Sequence, residues 1–367
     1  MRIGIAINRT WNIYNFRQGI IKALIAEGHE VVAIAPTDQY VARVRALGCE
    51  YADLPMTDTG SNPIKELITI FRFRKILKDY RIDVLLTYTI KCNLYGTIAA
   101  KRVGIPVICN ISGLGTAFLS RQLSSKIAIL LSRLFLRTSD HLFFQNKDDQ
   151  REFVKATGLS ETRQSLINGS GIDLEKFKQQ DFVFKNEYQF LVLARLIREK
   201  GIVEYANAAS IVKEKYPDSR FLLVGSLDVT HSQSISKQEL DVWIDKGWLD
   251  YLPHTDHIVE TINRTEVVVL PSYREGTPRS LLEGAACGKP LITSNVPGCK
   301  EVVSHEVNGF LCTVKSADSL AEQCIRYLKL DSIEKQKMGQ ESRRIAEQFF
   351  DESIVIKSYL DKIKELT

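Results

Sequence analysis

Short runs of apolar residues alternate with longer segments of helical periodicity over nearly all of the 367 residues. In the first half, the apolar runs predict strands near residues 2–8, 30–35, 83–87, 106–110 and 140–144. The segments between them predict helices near 15–27, 38–47, 62–79, 91–103, 121–138 and 146–157. This alternation is typical of a parallel sheet whose strands are joined by crossover helices.

The rhythm breaks between residues 165 and 189, where a Gly- and Ser-containing turn is followed by polar residues. It then resumes, with strands predicted near 189–194, 220–225, 266–270 and 290–293 and helices near 201–215, 257–262, 279–287, 316–329 and 332–348. We therefore predict two α/β domains, 1–168 and 169–350. Their sheets are expected to face each other across a cleft at the carboxyl ends of the strands.

The final segment, 351–367, predicts one more helix with Asp351 as its cap. Its predicted buried stripe consists of Ile354, Ile356, Tyr359, Leu360 and Ile363. The pattern leaves open which domain this helix covers, and the first domain is one candidate.

The N-terminus and the cysteines indicate a cytoplasmic protein. The opening MRIGIAIN is too short an apolar run for a signal peptide or a membrane span, and the stretch 127–136 is interrupted by Ser132 and Arg133. The seven cysteines form no CxxC pair, as is usual for reduced thiols, and we expect no metal site from them.

Positive charge is concentrated in the first half. Residues 1–168 hold 23 Lys and Arg against 14 Asp and Glu, whereas the other 199 residues hold 26 against 30. Part of the excess lies in 65–81 and 121–137, where cations punctuate apolar positions at helical spacing. Such a face can bind anionic lipid headgroups or can be the solvated side of a core helix. No nucleic-acid-binding fingerprint accompanies the charge, so no nucleic acid partner is expected.

Three familiar signatures fail. No GxGxxG follows a predicted strand, which disfavours a dinucleotide dehydrogenase. The segment 284–290, GAACGKP, has one residue too few for a phosphate loop, and Pro290 replaces the hydroxyl that would hold magnesium. His254 and His257, with Asp256 near them, could suggest zinc. No further ligand stands at a recognisable spacing, so no metal is expected there.

The most informative segment follows the apolar run 267–270. A loop, SYREGTP, leads to a helix near Arg279, with Glu275 in the loop and Glu283 eight residues later on the helix. A helix start offers backbone amides and a positive dipole to a phosphate, and each carboxylate can accept hydrogen bonds from sugar hydroxyls. A second basic element follows the strand near 189–194, where Arg195 and Lys200 could neutralise a diphosphate.

These residues resemble the retaining nucleotide-sugar glycosyltransferases of family 4. The Glu-x7-Glu motif is EGTPRSLLE at 275–283, the Arg-x4-Lys-Gly element is 195–201, and NGFL occupies 308–311. The resemblance covers essentially the whole chain. It implies the GT-B fold, with two Rossmann-like domains across a cleft, and a UDP-sugar as co-substrate with no cofactor and no metal.

The resemblance also implies roles for individual residues. Arg195 and Lys200 would hold the donor diphosphate, Glu275 the transferred sugar and Glu283 the ribose. The remaining donor-binding residues would be Gly276, Thr277, Arg279, Gly225 and Ser226. The chain departs from the family at three places. The stretch NRTWNIYNF lacks the Gly-Gly loop of many members, Thr277 stands where the family often has Phe or Gly, and Gly284 stands where it often has alanine.

The first half resembles the subgroup that builds capsule, O-antigen or N-glycan precursors on polyprenyl diphosphate, through residues 87–106 and the ISGLG turn at 111–115. The implied acceptor is a membrane-bound saccharide, and the implied location is the inner face of the cytoplasmic membrane. The acceptor-binding candidates are Asn12, Tyr14, Asn15, Arg17, Lys91, Asn93, Ser112 and Gly113.

The predicted reaction is transfer with retention, in which the acceptor attacks on the face that the nucleotide leaves. Two other functions share the architecture. A nucleotide-sugar 2-epimerase would turn over the donor without an acceptor, and a non-catalytic subunit would only bind the donor.

Overall fold

Two parallel sheets, each with helices on both faces, organise the chain. The structure is a computed structural model that describes residues 1–56, 62–114, 123–180, 187–227 and 232–367. One unit comprises Met1–Ser170 and Glu352–Thr367, and the other comprises Gly171–Asp351. The ISGLG turn and the predicted helix 121–138 lie partly outside the described residues.

The first unit holds a seven-stranded parallel sheet in the order β3-β2-β1-β4-β5-β6-β7. Its strands are β1 (Arg2–Ala6), β2 (Glu30–Ala35), β3 (Glu50–Asp53), β4 (Val84–Tyr88), β5 (Val107–Ile111), β6 (His141–Phe144) and β7 (Gln164–Leu166). Its helices are α1 (Thr10–Phe16), α2 (Gln18–Ala26), α3 (Val41–Arg45), α4 (Pro63–Asp79), α5 (Ile90–Val103), α6 (Leu123–Phe135) and α7 (Lys147–Thr157). The strand order reverses between β1 and β4, which is where such sheets bind ligands.

The second unit holds a six-stranded parallel sheet in the order β10-β9-β8-β11-β12-β13. Its strands are β8 (Tyr188–Leu193), β9 (Phe221–Val224), β10 (Asp250–Leu252), β11 (Thr265–Leu270), β12 (Leu291–Ser294) and β13 (Gly309–Cys312). Its helices are α8 (Ile202–Lys215), α9 (Lys237–Asp245), α10 (Ile258–Asn263), α11 (Arg279–Ala286), α12 (Ala317–Lys329) and α13 (Ser332–Ile345). Here the order reverses between β8 and β11.

Continuous burial explains why the central strands were readable from the sequence. Every residue of β4, β5 and β11 is buried, because helices cover both faces of each sheet. The edge strands β3, β7, β10 and β13 were not predicted. The first three have three or four residues each, of which only Ala52 is buried, so no apolar run marks them. β13 is mostly buried, but its apolar run, 310–312, has only three residues.

The predicted helix 15–27 is two helices. The chain is already helical at Thr10, and Arg17, with φ −128° and ψ 9°, separates α1 from α2. The helix α9 was also missed, although Ser236 and Glu239 form a capping box at its start.

The last helix, α14 (Glu352–Leu366), packs on the first unit. Its buried residues are Val355, Tyr359 and Ile363, four residues apart. The phenol oxygen of Tyr359 accepts a hydrogen bond of 2.8 Å from Asn110 Nδ2 at the end of β5. The prediction for Ile354 was wrong: its side chain is 40% exposed, and Val355 takes the buried position.

Candidate active site

The candidate donor-binding residues converge where the second sheet reverses its strand order. Strands β8 and β11 are hydrogen-bonded neighbours that run parallel, so the loops after Leu193 and Leu270 leave the sheet at the same edge. The first loop carries Arg195 and Lys200, and the second carries Glu275. The sheet topology thus brings together residues that are far apart in the sequence.

The two loops are joined through their backbones. Tyr273 N donates to Glu199 O at 2.9 Å, and Ser272 Oγ donates to the same oxygen at 3.1 Å. Gly201 has φ +71°, and a Cβ at this position would overlap the carbonyl oxygen of Pro271. Glycine is therefore required at 201 both for its backbone conformation and for the close approach of the loops.

Lys200 and Glu275 form an ion pair between Nζ and Oε1 across these loops. Their side chains are only 23% and 12% exposed, so the attraction is less screened than between surface charges. The backbone of Glu275 is also held, because its N–H donates to Pro297 O at 3.1 Å. Gly298, with φ +86°, lies so close that a Cβ would overlap the carbonyl oxygen of Glu275.

Glu283 lies one turn along α11 from Arg279. Arg279 Nε donates to Glu283 Oε1 at 3.2 Å, and Arg279 Nη1 donates to Gly171 O at 2.9 Å. Burial raises the pKa of the Glu283 carboxyl, and the charge of Arg279 opposes this effect. Gly284 lets the helix approach β11, since a Cβ there would lie 2.8 Å from Val268 Cγ2.

The helix α11 begins at Arg279, as predicted. Pro278 has extended backbone angles and precedes the helix, which begins at Arg279 without a side-chain cap. The amides of a first helical turn and the positive end of the helix dipole favour an anion. Gly276 and Thr277 lie directly before this turn.

Gly225 and Ser226 follow β9, next to the loop that carries Arg195. A Cβ on Gly225 would overlap the carbonyl oxygen of Ala194, and Leu196 N donates to Ser226 O at 3.2 Å. Tyr251 also holds this turn, through a 2.9 Å hydrogen bond to Gly225 O. Arg195 itself is exposed. All predicted donor-binding residues thus lie along one edge of the second sheet.

Four of the predicted acceptor-binding residues lie on or directly after α1. Asn15 Nδ2 donates to Trp11 O at 2.9 Å, and Asn12 Nδ2 donates to Asn8 Oδ1 at 3.3 Å. The Tyr14 ring packs 5.7 Å from that of Tyr40. Arg17 is buried, with its guanidinium carbon 3.9 Å from the centre of the Tyr88 ring.

Two of the other acceptor candidates have their polar groups engaged within the protein. Asn93 is buried, accepts from Thr87 Oγ1 and donates to Asn110 O, both at 2.8 Å. Lys91 pairs with Glu66 at 2.8 Å and so links α5 to α4. Asn93 therefore helps to position the ends of β4 and β5, whereas Lys91 joins two helices.

Ser112 and Gly113 follow β5. Ser112 is exposed and donates to Asn110 Oδ1 at 2.9 Å, and Gly113 has φ +133°. Of the two, Ser112 is the more accessible, since Gly113 is half-buried.

Other residues of the motifs are structural, and some contacts could not be predicted. Asn308 of the NGFL segment is buried, accepting from Ser304 N at 2.8 Å and donating to Val302 O at 3.0 Å.

The part played by Gly298 in holding Glu275 was missed. A Pro-Gly turn at 297–298 was the only signal in the sequence. Within the described ranges, no three or more His, Cys, Asp or Glu side chains cluster as metal ligands would.

Two family models match the chain. Residues 15–168 match the glycosyl transferase 4-like domain, and residues 173–345 match glycosyl transferases group 1. The N,N'-diacetylbacillosaminyl-diphospho-undecaprenol alpha-1,3-N-acetylgalactosaminyltransferase of Campylobacter jejuni is 30% identical over 98% of this chain and 97% of its own. The UDP-Gal:alpha-D-GlcNAc-diphosphoundecaprenol alpha-1,3-galactosyltransferase of Escherichia coli is 27% identical over 72% of this chain and 70% of its own.

The fold is shared with solved structures. The Anabaena protein Alr3699/HepE in complex with UDP and glucose aligns over the full length of both chains, with a TM-score of 0.83 and 18% identity. The predicted fold class of two Rossmann-like parallel sheets is confirmed, and so is the predicted family.

The contact between Gly201 and Pro271 generates a first prediction. Gly201→Ala should destabilise the second unit by at least about 2 kcal/mol more than Gly247→Ala, because Gly247 has the same kind of backbone conformation, φ +65°, but open space around it. The difference in the free energy of unfolding is measured by hydrogen exchange of the β8 and β11 amides at increasing urea concentrations. Equal destabilisation by the two substitutions would show that the loops do not depend on this contact.

Proposed function

Because the chain belongs to the glycosyl transferases of group 1, we propose that it moves a sugar from a UDP-sugar to a saccharide linked to polyprenyl diphosphate. The ion pair of Lys200 and Glu275 at the strand-order reversal carries the proposal. It joins a cation suited to a diphosphate with a carboxylate suited to sugar hydroxyls. The Campylobacter relative supports an N-acetylhexosamine as the transferred sugar. A Staphylococcus aureus relative named for capsular polysaccharide biosynthesis supports bacterial surface glycan as the product.

In the donor complex, Arg195 and Lys200 bind the diphosphate. The phosphate charge competes with Glu275 for Lys200, and the released carboxylate accepts hydrogen bonds from the transferred sugar. Glu283 accepts from the ribose, while backbone amides of Gly276, Thr277 and Arg279 donate to phosphate oxygens. Gly225 and Ser226 lie against the nucleoside. The support for these roles is that all of the residues lie along one sheet edge and match the motifs of the family.

The proposed chemistry retains the configuration at the anomeric carbon. The bond from that carbon to the β-phosphate oxygen breaks, and the acceptor oxygen forms its bond on the same face of the sugar. The acceptor proton passes to an oxygen of the departing diphosphate. Positive charge from Arg195, Lys200 and the start of α11 stabilises the leaving group, so the mechanism requires no metal ion.

The acceptor binds to the first unit. The Campylobacter and Escherichia coli relatives are both named for undecaprenyl-diphosphate-linked sugars. The candidate contacts in this chain are the residues on or next to α1 and after β5, namely Asn12, Tyr14, Asn15, Arg17, Ser112 and Gly113.

Product analysis tests the proposed reaction. The purified chain is incubated with UDP- and GDP-sugars, with and without prenyl-diphosphate-linked mono- and disaccharides. We expect transfer from a UDP-sugar to one lipid-linked saccharide with retained configuration, and a loss of at least 100-fold in kcat/KM for Lys200→Ala because the leaving-group charge is uncompensated. Lys289→Ala, which removes a lysine that lies after α11, is the matched control and should keep the activity.

Two results would contradict the proposed reaction. Isomerisation of a nucleotide sugar in the absence of acceptor would establish an epimerase. Donor binding without any turnover would establish a non-catalytic subunit.

The raised pKa of Glu283 gives a pH-dependent prediction. The ionised carboxylate accepts stronger hydrogen bonds from the ribose hydroxyls than the protonated carboxyl does, so UDP affinity should fall with decreasing pH, beginning above the usual 4.5. UDP also titrates, and the affinity of wild type relative to Glu283→Gln therefore isolates the effect of the residue. Calorimetry between pH 5 and 8 measures it, and a ratio that is constant with pH would exclude the ribose contact.

We further propose that the chain binds the inner face of the cytoplasmic membrane through α4 and α6. None of the helices in the described ranges is long and apolar enough to cross a bilayer. The exposed apolar residues of α4 recur at helical spacing, namely Ile64, Leu67, Ile68 and Phe71, and those of α6 are Ile127, Leu130 and Leu134. Exposed cations flank them, namely Lys65, Arg72, Lys75, Lys126 and Arg133. An apolar stripe bordered by cations fits an anionic lipid surface.

Vesicle sedimentation tests the membrane surface. Leu67→Ser/Phe71→Ser should lower binding to vesicles with 30% anionic lipid at least fivefold, because the two side chains lose apolar area buried in the headgroup region. Ile333→Ser, at an exposed position of α13 in the second unit, is the control and should bind normally. Unchanged binding of the double variant would contradict this surface.

A further inference from the structure

A cavity lies in the first unit. Its volume is about 540 Å³, within the usual range for small-ligand sites. The residues that line it are Asn8, Arg9, Trp11, Pro36, Asp38, Gln39, Tyr40 and Met56. They follow β1, β2 and β3, which are adjacent in the sheet, so the cavity lies at the carboxyl ends of these strands.

The cavity combines aromatic rings with amides, one cation and one carboxylate. Trp11 is one of the aromatic residues, and the ring of the other, Tyr40, packs against Tyr14. The rim carries the amides of Asn8 and Gln39. The faces of a pyranose are rows of C–H groups that pack on aromatic rings, while its equatorial hydroxyls require donors and acceptors at the edge.

Two backbone amides hold the carboxylate of Asp38, which lines the cavity. Its Oδ2 accepts from Trp11 N at 3.1 Å, and its Oδ1 accepts from Tyr40 N at 2.7 Å. A carboxylate can accept about four hydrogen bonds, so about two further sites are open to ligand hydroxyls. Arg9 and Asp38 give the lining one charge of each sign. The lining therefore has no excess of positive charge that would select a phosphate, and a neutral sugar meets no repulsion.

The position of the cavity also fits a lipid-linked saccharide. Met56, on its wall, contacts Cys92 of α5 at 3.8 Å between the sulfur atoms, and the neighbouring Lys91 pairs with Glu66 in the first turn of α4. The start of α4 carries Ile64, the most exposed residue of the proposed membrane stripe. A saccharide in the cavity would therefore lie close to the helix at which its lipid enters.

We infer that this cavity is a saccharide subsite that binds a neutral pyranose of the lipid-linked acceptor by packing it on Trp11 and hydrogen-bonding it to Asp38 and Gln39. The inference rests on the proposed function and adds to it, because it names the residues that select the sugar of the acceptor. The diphosphate and the prenyl chain lie outside the subsite.

Steady-state kinetics test the inference with farnesyl-diphosphate-linked N,N'-diacetylbacillosamine and N-acetylglucosamine as acceptors. Trp11→Ala should raise the acceptor KM at least tenfold and Gln39→Ala about threefold, with donor hydrolysis in the absence of acceptor changed less than twofold. Trp11→Phe should retain most of the affinity, since it keeps an aromatic face. Farnesyl diphosphate without a sugar should inhibit wild type and Trp11→Ala equally.

The matched controls are Phe349→Ala and Gln340→Ala, which remove exposed side chains of the second unit. Both should behave as wild type. An unchanged acceptor KM in the Trp11→Ala and Gln39→Ala variants would overturn the subsite. So would an equal loss of affinity for sugar-free farnesyl diphosphate, because the cavity would then bind the diphosphate or the lipid.

A binding measurement separates failure of the subsite from failure of the proposed function. The chain has three tryptophans, and with 5-fluorotryptophan the Trp11 resonance is identified by its loss in Trp11→Phe. The acceptor saccharides should shift this resonance even without a donor. Transfer by wild type without such a shift would overturn the subsite alone, whereas a shift without transfer would leave the subsite and remove the proposed reaction.

Discussion

The ion pair of Lys200 and Glu275 depends on a close approach of two backbone segments, and the candidate active site depends on that approach. Two neighbouring parallel strands end at the same edge, and Gly201 allows the loops that follow them to touch. Without this contact, the two charges would lie on separate flexible loops and gain little from each other. Gly298, in the loop after β12, lies against the backbone of the same glutamate. Three loops therefore position Glu275.

The first unit uses a related principle for a different purpose. Two buried amides, Asn93 on α5 and Asn110 at the end of β5, form hydrogen bonds that connect β4, α5, β5 and the final helix. Because these polar groups bind one another, they hold this edge of the sheet rigidly. The exposed Ser112 lies directly beside it and donates to Asn110. A rigid edge suits the recognition of a large acceptor. The ion pair of Lys200 and Glu275 suits a charged donor, because the donor diphosphate can replace Glu275 as the partner of Lys200.

The central strands and the Glu-x7-Glu segment could be predicted because their signals are local: runs of apolar residues and a fixed spacing of two carboxylates. The edge strands β3, β7 and β10 have no such signal, and neither does the break at Arg17. Whether a polar residue is accessible is decided by its tertiary neighbours. Lys91 and Asn93 looked like ligand-binding residues in sequence, yet Glu66, Thr87 and Asn110 engage them. The pairing of Lys200 with Glu275, 75 residues apart, was likewise visible only after folding.

The central claim is that Lys200 serves the donor diphosphate and that Glu275 competes for it until the sugar arrives. Calorimetric titration of UDP into wild type, Lys200→Ala, Glu275→Gln and the double variant tests this claim most directly. The account predicts that Lys200→Ala weakens UDP binding at least tenfold, and that Glu275→Gln leaves it unchanged or tighter, because UDP carries no sugar for Glu275 to hold. An equal loss of affinity in both single variants would contradict the account, since the ion pair would then be only a structural link between the two loops.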